Sequence, residues 1–68
     1  MNITKDAILE IIKDHPGLRG REIAEYLQVH HFEIIPLLDE LRIEEKVQVM
    51  YRYDLANMKY YSRYYLNI

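Results

Sequence analysis

At Val47 the spacing of apolar residues changes, and that change limits what the chain can become. Up to Lys46 the apolar positions recur every three to four residues, as on one face of a helix. From Val47 they alternate. Val47, Val49, Tyr51 and Tyr53 interleave with Gln48, Met50 and Arg52, as in a strand with one covered face. The run "DLAN" at 54–57 has turn chemistry, and 58–66 reads as a second strand rich in tyrosine. Two strands alone are barely stable. The hairpin, at about 47–53 and 58–66, must therefore lie on the helical part. A chain of 68 residues is expected to form a single α+β domain over 1–68.

The helical part divides into three. Ile3, Ala7, Ile8, Ile11 and Ile12 share one face of a first helix over about 4–14, with Thr4 as its N-cap and Asp6 in its first turn. "HPG" at 15–17 stops it. A second helix over about 21–27 turns Ile23, Ala24 and Leu27 inward, and the small Ala24 lets another helix cross closely. A third, over about 31–44, turns Ile34, Leu37, Leu38 and Leu41 inward. Pro36 conflicts with that span, since proline inside a helix costs on the order of 3 kcal/mol. The third helix is therefore expected to begin late, near Glu33, or to be bent at its start. On the strands, Tyr51, Tyr53, Tyr60 and Tyr64 are expected to pack inward; Tyr61, Tyr65, Arg52, Lys59 and Arg63 are expected to face out.

Three helices, a hairpin and the segment "REIAEYLQV" together resemble the winged helix-turn-helix family over nearly the whole chain. Glu22, Ile23, Ala24, Leu27, Val29, Leu38, Leu41 and Val47 fall on that family's pattern, and most are core positions. The chain departs from the pattern in three places. Gln28 stands at a turn position that is often glycine, and Arg19 or Gly20 stands where the second helix usually has a Ser or Thr cap. Glu44, Glu45 and Lys46 stand where a glycine commonly ends the third helix. The resemblance implies a three-helix winged helix-turn-helix with a C-terminal β-hairpin wing. It also implies a DNA-binding transcriptional regulator whose partner is double-stranded DNA.

In such proteins the second helix's start and the wing meet phosphate, while the leading end of the third helix meets bases. Carried onto this chain, these contacts fall on Arg19 and Arg21, on Gln28, His30 and His31, and on Arg52, Lys59 and Arg63. Protonation of either histidine, if it touched phosphate, would strengthen binding in mild acid.

Charge argues both ways. The formal net charge is −2. Residues 1–46 carry six Lys or Arg against ten Asp or Glu, whereas residues 47–68 carry three against one. The third helix is acidic, with Glu33, Asp39 and Glu40 outward, and repels a phosphate backbone along most of its length. Six of the seven tyrosines lie within 51–65, interleaved with Arg52, Lys59 and Arg63. Such a surface suits bases and backbone, and it equally suits a protein partner. The alternative reading is a winged-helix protein–protein interaction module that uses the acidic helix or the wing without binding DNA. A homodimer fits either reading.

Catalysis is not expected, because the chain has one serine, one threonine and no cysteine. No cofactor is expected either. Adjacent histidines on a helix point apart, and no third zinc ligand is suitably spaced. With neither a secretory signal nor an apolar run long enough for a bilayer, a cytoplasmic protein with no membrane partner is expected.

Overall fold

The computed structural model describes residues 3–67. Along the chain run α1 Lys5–Asp14, β1 Leu18–Arg19, α2 Gly20–Leu27, α3 His31–Ile43, β2 Val47–Asp54 and β3 Lys59–Leu66. Each boundary has a local cause. Thr4 opens α1 by accepting the Ala7 N–H at 3.1 Å. Pro16 lacks a donor, and Gly17 turns the chain at φ 91°, a conformation that costs glycine little. The Gly17 N–H then donates to the Tyr64 carbonyl at 2.9 Å, which delivers the chain to the edge of β3. The result is β1, a strand that residue spacing alone does not announce.

The sheet is antiparallel with strand order β1-β3-β2. Leu18 and Arg19 pair with Tyr64 and Arg63 on one side of β3. On the other side Val47 pairs with Leu66, Val49 with Tyr64, Tyr51 with Ser62 and Tyr53 with Tyr60. The core lies where the helices meet the base of this hairpin. Ile8, Ile12, Ile23, Ala24, Ile34, Leu38, Leu41 and Val47 form it, none more than 4% exposed. Leu18, Leu27, Val29, Tyr64 and Leu66 close its rim.

Two expectations fail. The first is the late start near Glu33; the expected span of about 31–44 itself agrees with α3. It starts at His31, with Pro36 inside it. A capping box explains the early start. His30 Nδ1 accepts the Phe32 N–H at 3.2 Å, and Glu33 Oε2 accepts the His30 N–H at 3.0 Å. Proline leaves the Phe32 carbonyl without its intrahelical donor, but Phe32 lies on the exposed first turn, where water can serve it.

The second concerns the tyrosines. Tyr51, Tyr53 and Tyr60 do share the core-side face with Val49 and Tyr64, but they are not buried. Tyr51 is 66% and Tyr60 73% exposed. The outer half of the hairpin projects beyond the helices, so its inward face has nothing to pack on. Tyr53 and Tyr60 cover each other instead, ring centroids 4.8 Å apart. Tyr61 and Tyr65, expected to be outermost, are half-buried. Arg19 lies over the Tyr61 ring, and Gly17 lies against Tyr65.

Helices α2 and α3 both end in left-handed residues. Gln28 has φ 58° and Glu45 φ 60°. After α2, the Gln28 N–H donates to Glu25 and the Val29 N–H to Ala24, both at 3.1 Å. After α3, Glu45 donates to Arg42 and Lys46 to Leu41, both at 3.0 Å. These paired bonds form the motif that glycine normally occupies. A non-glycine residue there is strained by about 1–2 kcal/mol, partly offset by its lower entropy in the unfolded chain. Gln28→Gly and Glu45→Gly should each raise stability by about 0.5–1 kcal/mol, read as a shifted urea midpoint with unchanged slope.

No helix among the described residues is long and apolar enough to cross a membrane.

Candidate nucleic-acid interface

The leading end of β3, the start of α2 and the start of α3 converge on one side of the molecule. Gly20, the first residue of α2, sits against His31, the first residue of α3. A Cβ at Gly20 would lie 3.0 Å from His31 Nε2. The close approach half-buries His31 and points its ring into a cleft of about 470 Å³. Arg19, Arg21 and His31 line one wall, with Ile35 behind them; Lys59, Tyr60 and Tyr61 of the hairpin line the other. Four of the eight candidate DNA-contact residues, distant in sequence, thus share one concave surface.

The other four lie elsewhere. Arg52 and Arg63 line a second hollow with Tyr61, on the sheet face that the register also gives Arg19 and Lys59. Arg19 and Tyr61 stand at the edge between the two surfaces and line both. Gln28 and His30 are exposed in the turn that joins α2 to α3, outside either hollow.

The arginines differ in how free they are. Arg19 Nε donates to Glu22 Oε1 at 3.1 Å, and the guanidinium lies 4.9 Å from the centre of the Tyr61 ring. Arg63 donates to the Gly17 carbonyl at 2.9 Å, which ties the hairpin to the α1–β1 turn. Arg21 is exposed, and no ion pair or side-chain hydrogen bond holds it among the described residues. Lys59 is exposed and equally unpaired there. These two are the cations best placed to take phosphate.

Glu22 secures the start of α2. Its Oε1 also accepts the Arg19 backbone N–H at 3.0 Å. That bond, followed by the Arg19 side chain, holds the carboxyl below its ordinary value of 4.5 despite partial burial. The sign follows directly. The contribution is complete above pH 4.5 and is lost as pH falls through the lowered folded-state value. Thermal unfolding should therefore show the parent more stable than Glu22→Gln near neutrality, with the gap closing in acid.

The carboxylates of α3 are engaged rather than free. Lys5 of α1 bridges Glu40 at 3.0 Å and Glu44 at 3.1 Å, and these partners hold its ammonium above the ordinary lysine value. Arg42 pairs with Asp39 at 3.8 Å, and Glu33 belongs to the cap of α3. Both Lys5 bridges lie toward the trailing end, away from the cleft. His30 is engaged as well. Its Nδ1 accepts the Phe32 N–H and so is occupied within the fold.

Sequence reading missed Phe32. It stands exposed at the first turn of α3, stacked against His30 with centroids 4.9 Å apart. The helical period was a sufficient signal: a helix that buries Ile34, Leu38 and Leu41 presents Phe32 on its far side. Among the described residues, no three His, Asp or Glu side chains gather as a metal site would need.

Three helices ending in an antiparallel sheet whose last two strands form a projecting hairpin also occur in a solved regulator. The structure of the transcriptional regulator SlyA matches 93% of this chain with a TM-score of 0.68 and 19% sequence identity. The fold is a winged helix. In that frame α2 and α3 are the helix-turn-helix, and β2–β3 is the wing. This chain covers 42% of the SlyA chain, less than half its length. No protein-family model matches the sequence, and no curated protein matches it.

Proposed function

We propose that this chain is a DNA-binding transcriptional regulator. It grips duplex DNA between the start of α2 and the wing, and it presents the leading end of α3 to the bases. The observation that carries this reading is the cleft that joins Arg21, His31 and Lys59 from three separate elements. A phosphate backbone needs cations at its own spacing, supplied by elements held rigidly relative to one another. The acidity of α3, the main objection, is offset only in part: Lys5 balances one of the two charges on Glu40 and Glu44 and Arg42 balances Asp39, while Glu33 accepts only a backbone N–H and keeps its charge. SlyA is a transcriptional regulator, and the shared fold supports the same kind of role here.

The test is fluorescence anisotropy with a short random-sequence duplex over a salt series. If Arg19, Arg21 and Lys59 each neutralise one phosphate, log K should fall with log salt at a slope of about −3. Amide shifts on titration should cluster at Arg21, His31 and Lys59. No duplex binding at low salt would sink the proposal.

A second reading has one observation in its favour. Leu55 and Met58 at the tip of the wing are 82% and 76% exposed, beside the exposed Tyr60. An apolar tip suits a protein partner or a second copy. That reading predicts a stable complex and no affinity for duplex at low salt.

A further inference from the structure

Resting on the DNA-binding reading, we infer that Phe32 reads thymine methyl groups in the major groove and gives the protein a preference for A·T pairs. Helix α3 turns Ile34, Leu38 and Leu41 into the core. At about 100° per residue, the opposite side of the same helix carries Phe32, Pro36, Asp39 and Ile43, all exposed. Of these, Phe32 and Pro36 occupy the leading two turns. Neither side chain offers a hydrogen bond. A helix that approaches base edges with Phe32 foremost, 72% exposed, has no donor or acceptor there to match against a purine.

The major groove displays one apolar feature, the C5 methyl of thymine, and aromatic or methyl side chains are its usual partners. Phe32 is also held ready. Its ring stacks on His30 with planes 24° apart and lies 6.3 Å from the His31 ring, at 20°. His30 in turn is fixed by the capping bonds at the head of α3. Little side-chain freedom remains to be lost on contact. His31 faces the phosphate-binding cleft and Phe32 faces outward, so adjacent residues of one turn divide positioning from reading.

The experiment compares binding to alternating dA–dT and alternating dA–dU duplexes, which share charge and pairing and differ in the methyl. The parent should prefer dA–dT by about three- to fivefold for each methyl covered, the worth of one buried carbon. Phe32→Ala should bring the ratio to about one, losing more affinity for dA–dT than for dA–dU. Phe32→Leu, which keeps an apolar side chain at a surface position, should retain part of the preference. Lys59→Ala should weaken both duplexes equally. Equal affinity of the parent for both duplexes, or a preference that survives in Phe32→Ala, overturns this inference and leaves DNA binding standing. Failure of the parent to bind either duplex at low salt overturns the DNA-binding reading, and this inference with it.

Discussion

Ile34→Ala should leave the chain largely unfolded at 25 °C. Ile34 is fully buried where α3 crosses the rest of the core, among Ile8, Ile12, Ile23 and Leu41, which are likewise closed to solvent. Removing its three outer carbons forfeits their transfer free energy and opens a cavity, about 2–5 kcal/mol together. The domain has little to lose. At 68 residues, with eight buried residues as its centre, its total stability falls in the range of about 3–5 kcal/mol typical of such small cores. One deletion therefore consumes most or all of it. Circular dichroism under urea should show no native baseline for Ile34→Ala, while Leu55→Ala, at the exposed tip of the wing, should stay within about 0.5 kcal/mol of the parent. A cooperative transition in Ile34→Ala within about 1 kcal/mol of the parent would mean that α3 does not anchor the core as described.

The reason that core could be read from sequence is periodicity. Ile8 and Ile12, Ile23 and Ala24, and Ile34, Leu38 and Leu41 recur at helical spacing, and Val47 begins the alternation. Period says which residues share a face. It does not say how far the opposing layer extends. Tyr51, Tyr53 and Tyr60 lie on the same face as Val49 and Tyr64, yet the helices stop short of them. The two-residue β1 was hidden for a related reason: Leu18 and Arg19 have no period of their own and become a strand only because β3 offers an edge. Pro36 misled because its cost was weighed alone, without the capping bonds of His30 and Glu33 that start the helix ahead of it.

The candidate site was legible as residue types and not as a surface. That Arg21 and Lys59 belong to one cleft depends on how the wing folds back beside α2, which no local spacing encodes. The separation of Arg52 and Arg63 from that cleft was not visible, since alternation puts Lys59, Tyr61 and Arg63 on one face of β3 with Arg52 paired opposite Tyr61. The ion pairs of α3 depend on where α1 lies. Lys5 meets Glu40 and Glu44 across more than thirty residues of chain, and without it the helix reads as a run of free acids.

That division of the cations leads to the second large effect. Arg21→Ala combined with Lys59→Ala should weaken binding to every duplex alike and lower the salt slope by about two, one for each phosphate contact removed. Both side chains are exposed, so the fold should survive, and amide spectra away from the cleft should be unchanged. Arg63→Ala acts differently, because its guanidinium donates to the Gly17 carbonyl, outside the cleft. Its loss frees the α1–β1 turn and should lower stability by about 1 kcal/mol with a smaller change in slope. The two variants thus separate a contact with the polyanion from a contact within the fold. If Arg21→Ala with Lys59→Ala keeps the parent's slope while Arg63→Ala reduces it, the backbone runs across the second hollow, lined by Arg52 and Arg63. The cleft beside α2 would then not be where DNA lies.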